Sequence, residues 1–260
     1  MTLAVAPAAF LLLYVYLRDK YEREPLSLIA VTFILGAIGV APAAILELLS
    51  EAFFPVPALV EAFVFVGLIE ELTKYAAVRI KAYRSWHFNE VMDGIVYGVA
   101  ASLGFATVEN ILYVLQSGLA VAILRGILSV PNHAVWGGIM GFYLGLAKRD
   151  KNLHRSAGNQ IIKGLAIVIF LHGLYDSLAL IGSLEWAVLV SLFGWGLFLV
   201  HIKEALAIPA FSPLQGRTTS TQPSLSGGRF CSQCGVQLFG TETFCTYCGA
   251  RVGDRRSTSS

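Results

Sequence analysis

The sequence predicts an all-α fold: a polytopic bundle of about seven transmembrane helices, followed by a small cytoplasmic zinc ribbon. Three observations predict the bundle. Of the 260 residues, 56% are hydrophobic and only 14% charged, a balance that belongs to integral membrane proteins. Seven apolar stretches recur between residues 3 and 204, most of them at or above the roughly 20 residues that a helix needs to cross the hydrocarbon. Lysine and arginine collect in alternate loops, as they do when a chain crosses a membrane repeatedly.

The first stretch, 3–17, is short. It has no basic residue before its apolar core, and its small residues (Ala4 to Ala9) precede that core, the reverse of a cleaved leader, so it reads as a retained helix. Stretches 26–49, 56–80 and 91–116 follow. The fifth, 119–147, is longer than a bilayer requires and contains Pro131, whose missing backbone donor predicts a kink or break there. Stretches 160–182 and 184–204 complete the set. Basic residues follow the first stretch (Arg18, Lys20, Arg23), the third (Arg79, Lys81, Arg84), the fifth (Lys148, Arg149, Lys151, Arg155) and the seventh (Lys203), whereas the loops near Pro55, Ser117 and Ser183 have none. Because positive loops stay in the cytoplasm, the N-terminus is expected outside and the C-terminus inside a cell membrane. The net charge of +2 is explained by this topology, and nucleic acid is not an expected partner.

Composition then divides the chain into a membrane domain (1–206), a Pro/Ser/Thr/Gly linker (207–228) that cannot bury a core, and a terminal module (229–252). The module holds all four cysteines, Cys231, Cys234, Cys245 and Cys248, as two CxxC pairs each followed by glycine (Gly235, Gly249). That spacing suits one tetrahedral structural zinc and a short zinc ribbon. Disulfides are the weaker reading in a reducing cytoplasm. So small a module has little core, so the metal supplies most of its folding energy. The ribbon is expected to dock a cytoplasmic protein partner or a substrate tail; its bland alternative is a folded end that protects the tail.

Charge inside the apolar stretches points to chemistry. A charged group near the bilayer centre costs about 2.5–3.5 kcal/mol on insertion scales, so it normally faces a polar interior. Glu70 and Glu71 lie in the third stretch, with Lys74 at helical spacing from both. A structural ion pair is the plain reading, but two carboxylates against one ammonium leave a surplus acid, and Gly67 one turn earlier is expected to leave open space for water. The fourth stretch carries a small-residue row, Gly94, Gly98, Ser102, Ala106 and Asn110, flanked by Glu109; the fifth carries His133, Gly137, Gly141 and Gly145. Such rows let helices approach closely. Arg125 is placed to pair with Glu109, and Asp176 lies one turn from His172. With every span centred in the bilayer, Glu70, Glu71, His133 and His172 converge at one depth, and Glu109 joins them only if its helix is shifted or broken.

Together, Glu70-Glu71-x-x-Lys74, Phe105-x-x-x-Glu109-Asn110, Arg125, Pro131-x-His133-Ala134-x-Trp136-Gly137 and His172-Gly173-x-x-Asp176 resemble the motifs of the PrsW family of intramembrane proteases, itself distantly similar to the CAAX prenyl proteases. The resemblance spans about Glu24 to Lys203, and the ribbon lies outside it. It implies peptide-bond hydrolysis in or beside the bilayer, with an anti-sigma-factor-like membrane protein as substrate and a role in envelope stress. The residues offer a mechanism: Glu70 or Glu71 as general base on water, His133 and His172 as oxyanion stabilisers or proton donors, Asp176 orienting His172. No serine, cysteine or threonine stands in a nucleophile setting. A catalytic zinc held by Glu71, His133, His172 and either Glu109 or Asp176 is the alternative, because the PrsW family is labelled metalloprotease while the CAAX relatives look metal-free. Two other classes fit the same polar cluster: a non-catalytic membrane scaffold and a transporter, although no inverted repeat is apparent.

Overall fold

Small residues decide how this chain assembles, because they set which backbones can touch. In the computed structural model, which describes residues 2–20, 22–153, 155–211, 229–230 and 237–238, helices follow one another with short connections from Thr2 to Ala207. They are α1 (Thr2–Arg18), α2 (Leu26–Phe53), a rod made of α3 (Ala58–Val60), a π-helical segment (Glu61–Val66) and α4 (Gly67–Ile80), then α5 (Val91–Ser117), α6 (Leu119–Ile127), α7 (Ser129–Asn152), α8 (Gly158–Leu180) and α9 (Leu184–Ala207). Four of these, α2, α5, α8 and α9, are long and apolar enough to cross a membrane, and α1 is a shorter apolar helix. Large apolar side chains such as Phe10, Ile34, Ile38, Ile45, Leu192 and Phe193 point outward, as they do where lipid is the solvent.

The fifth apolar stretch is two helices. The break falls at Leu128, where φ is −112° and ψ −61°, one turn before Pro131 rather than at it. A proline ring excludes the carbonyl four residues earlier, here that of Ile127, the last residue of α6. Pro131 itself sits in the first turn of α7, where a missing N–H is tolerated.

Helix α5 is buried continuously from Val91 to Thr107 and lies between α7 and α2. The two small-residue rows face each other: a Cβ on Gly98 would strike the Gly137 carbonyl, one on Gly141 would strike that of Gly94, and one on Gly137 would strike the Ser102 hydroxyl. On the other side of α5, Gly36 abuts the Ala101 carbonyl and Gly104 the Phe33 carbonyl. Backbone therefore touches backbone on both sides of α5, which strengthens dispersion contacts in a medium with no hydrophobic drive between helices.

Where α5 begins, the α1–α2 connection is tied to it. Asp93 Oδ2 accepts the backbone N–H groups of Asn89 and Glu90, both at 2.7 Å, forming a capping box with Glu90. Tyr97 donates its hydroxyl to Glu24, which is buried beside Asp19 and Asp93. Burial chiefly, with the like charges of Asp19 and Glu22, pushes the Glu24 carboxyl up to about 8, against the hydrogen bonds from Tyr97 and Asp93. The second compact unit, Ala210–Ser260, shows β1 (Arg229–Phe230) paired antiparallel with β2 (Gln237–Leu238), Arg229 opposite Leu238. The four cysteines, and most of the linker, lie outside the described residues.

Glu24 makes stability depend on pH. Its folded value lies above the ordinary 4.5, so its contribution is full below that ordinary value and is lost as pH rises through about 8. Thermal unfolding in detergent micelles from pH 5 to 9 should show the wild type losing stability relative to Glu24→Gln, by up to about 1.4 kcal/mol per pH unit in that window. Parallel profiles would contradict the assignment.

Candidate active site

The spacing of Glu70, Glu71 and Lys74 puts all three on the inward face of α4, and all three are buried. Lys74 Nζ lies 2.8 Å from Glu70 Oε2, 2.8 Å from Glu71 Oε1 and 2.9 Å from His133 Nδ1, and the ammonium stands over the Phe105 ring at 4.6 Å. An ammonium has only donors, so His133 Nδ1 accepts and its hydrogen is on Nε2. That nitrogen faces Glu109 Oε2 at 3.0 Å, and Glu109 Oε1 pairs with Arg125 Nη2 at 2.7 Å.

On the other side of the glutamates stands His172 of α8. Its Nδ1 lies 2.8 Å from Glu71 Oε1, and its Nε2 lies 3.2 Å from Asp176 Oδ2 and 3.8 Å from Glu70 Oε2, so each ring nitrogen faces a carboxylate. The two histidine rings stand nearly perpendicular, 5.4 Å apart. What brings α8 so close is a glycine crossing. A Cβ on Gly67 would come within 3.2 Å of the Gly173 nitrogen, and one on Gly173 within 2.7 Å of the Phe63 carbonyl. Gly67 therefore does not open room for water, as its position beside the glutamates suggested. It admits the backbone of α8, and with it His172.

Water-sized space lies on the other side. A cavity of about 850 Å³ is lined by Glu70, Glu109, Arg125, His133, His172 and Asp176, with Glu47, Asn132, Trp136 and Tyr175 among its other walls. Neither Glu71 nor Lys74 is on that wall. Glu71 is wholly enclosed, Oε1 shared by Lys74 and His172 and Oε2 without a hydrogen-bond partner. The two adjacent glutamates thus differ: Glu70 meets the cavity, and Glu71 holds Lys74 and His172.

All six catalytic candidates from the sequence meet in one cluster. Glu109 arrives without any break in α5, which runs unbroken from Val91 to Ser117. The expectation that it needed a shifted helix rested on centring His133 in a single long span. Because the chain breaks at Leu128, His133 lies only four residues into α7, near the end of the bundle where α5 finishes, and so at the level of Glu109. For a metal, the oxygens and nitrogens of Glu70, His133 and His172 come within 4.8 Å of one another, all three residues buried. It is Glu70, not Glu71, that joins the histidines. The sequence reading assigned no role to Glu47, Asn132 or Trp136, although the last two flank His133 in the Pro131–Gly137 run.

A family model described as PrsW family intramembrane metalloprotease matches residues 24–207. The chain is 40% identical over 185 residues to Protease PrsW of Halalkalibacterium halodurans, covering 70% of this chain and 84% of that one. It is 36% identical over 213 residues to Protease PrsW of Bacillus subtilis (78% and 94%), and 31% identical over 196 residues to that of Clostridioides difficile (72% and 82%). No solved structure matches.

Removing Lys74 would leave two buried carboxylates without their cation. Lys74→Met should destabilise the fold by about 3–5 kcal/mol, and adding Glu71→Gln should restore part of that loss. Thermal unfolding of the single and double variants in micelles measures both. Additive effects would mean that the contact has no energetic weight.

Proposed function

The chain belongs to the PrsW family and is an intramembrane protease, and we propose that it cleaves membrane-protein substrates by water that Glu70 activates in the cavity. The observation that carries this reading is the position of Glu70: on the cavity wall, 2.8 Å from Lys74, with His172 beside it. Glu70 takes a proton from a cavity water as the water oxygen bonds to the scissile carbonyl carbon, whose π electrons move onto oxygen. His172, held at Nδ1 by Glu71, turns its Nε2–H from Asp176, which borders the same cavity, to that oxyanion. When the C–N bond breaks, the proton held by Glu70 passes to the leaving amine. His133 has both ring nitrogens engaged and serves to hold Lys74 and Glu109 in place.

The family description includes a metal, and the donor chemistry is suitable: a carboxylate and two imidazoles, as in many catalytic zinc sites. Glu70, His133 and His172 would hold it, and when bound it would supply Lewis-acid polarisation of the carbonyl and of water. Lys74 stands 2.8 Å and 2.9 Å from two of those three donors. The ammonium is thus the resident cation of the site, and a metal requires Lys74 to withdraw.

The alternation of basic loops supports an N-terminus outside and a C-terminus in the cytoplasm. By family resemblance, the substrate is a single-span anti-sigma factor cut during envelope stress. The cysteine spacing supports a structural zinc in residues 229–252, and the pairing of Arg229–Phe230 with Gln237–Leu238 brackets the first CxxC in sequence. We take that module to dock a cytoplasmic partner or substrate tail.

In membranes holding a doubly tagged single-span anti-sigma factor, the wild type should produce two fragments, and Glu70→Gln, expressed at equal level, should slow their appearance at least about 100-fold. Cleavage at the wild-type rate by Glu70→Gln would remove Glu70 from the role of base. Metal analysis of the purified full chain should find about one zinc that is lost in Cys231→Ser/Cys245→Ser; unchanged zinc content would dismiss the ribbon.

A further inference from the structure

The active-site cavity holds more negative charge than the chain neutralises. Of the carboxylates on its wall, Glu70 is answered by Lys74 at 2.8 Å, Glu109 by Arg125 at 2.7 Å and Asp176 by His172 at 3.2 Å. Glu47 and Glu51 of α2 and Glu61 of the π-helical segment border the same space, and none of the three forms an ion pair among the described residues. Glu47 lies one turn deeper along α2 than Glu51. It is half-buried on the cavity wall, and of its two oxygens only Oε1 is closed off, without a hydrogen-bond partner. The like charges of Glu70 and Glu109 act on it more strongly than the Lys74 ammonium does.

The cavity lies at the end of the bundle where α2, α5 and α8 finish and the π-helical segment, α7 and α9 begin. By the topology proposed above this is the outer end, where the loops near Pro55, Ser117 and Ser183 carry no lysine or arginine. The chain therefore supplies no cation to Glu47, and a carboxylate in a poorly solvated wall is strongly attracted to one that arrives. Lysine and arginine carry their charge on long apolar stems, which reach from the end of a membrane span to such a group. We propose that Glu47 sets substrate specificity: it receives the ammonium or guanidinium of a Lys or Arg that the substrate carries just outside the outer end of its span, and Glu51 and Glu61 draw that charge toward it. Basic residues are scarce on the outer flanks of membrane spans, so this preference separates a few substrates from the many spans in the same bilayer. The inference rests on the protease reading, and its test separates the two.

The probe is the doubly tagged single-span anti-sigma factor, with Lys, Gln or Glu placed in turn at the residues just outside the outer end of its span, co-reconstituted at varied density in proteoliposomes. Wild type should favour the Lys form over the Gln form by about tenfold in KM, and the Gln form over the Glu form, with kcat changed far less. Glu47→Gln should flatten that order and Glu47→Lys should reverse it. No cleavage of any form by wild type overturns the protease reading and this inference with it. Cleavage of all three forms with one KM leaves the protease reading in place and overturns the specificity. A preference for Lys that survives in Glu47→Lys, or a fall in kcat common to all forms with the order intact, takes the role from Glu47. If Glu47→Lys does not fold, Glu47→Gln decides; loss of fold in both assigns Glu47 to packing and overturns the proposal.

Discussion

One buried ammonium holds the site together. Lys74 is surrounded by Glu70, Glu71 and His133 at hydrogen-bond distance and by the face of Phe105, so groups from α4, α5 and α7 converge on one positive charge. Without it, two adjacent carboxylates in an apolar bundle would repel each other and lack solvation. With it, one of them can be enclosed and the other left facing water. The His133 tautomer, and through it the Glu109–Arg125 pair, follow from the same contact.

A charge network of this kind needs helices closer than ordinary side chains allow. The glycines of α5 and α7 meet carbonyl against backbone, and Gly67 and Gly173 do the same for α4 and α8. The second crossing sits directly beside Glu70, Glu71 and His172. Packing and chemistry are therefore specified by neighbouring residues in the same motifs: Gly173 follows His172, and Gly67 precedes Glu70 by three residues. In hydrocarbon, where association has no hydrophobic drive, such contacts provide the rigidity that positions the side chains.

Much of the site was legible from helical spacing. The reach of Lys74 to both glutamates, the pairing of Asp176 with His172 and the rows of small residues follow from i, i+3 and i, i+4 geometry, and the pairing of Arg125 with Glu109 from their place in the outer half of the expected topology. Periodicity gives the face of a helix, however, and not its depth or its neighbour. The break falls at Leu128, one turn before the proline that causes it, and it is the division of the stretch into two helices that puts His133 at the level of Glu109. Gly67 read as open space because the sequence does not say which backbone fills it. Likewise nothing in two adjacent glutamates tells which one meets the cavity, since that depends on where α8 lies.

The most direct test is an experimental density map of the protein in lipid nanodiscs. Lys74 Nζ should stand within hydrogen-bond distance of Glu70, Glu71 and His133, with Glu70 facing a water-filled cavity and Glu71 enclosed. Lys74 turned away from the two glutamates, or Glu71 in place of Glu70 on the cavity wall, would contradict this arrangement.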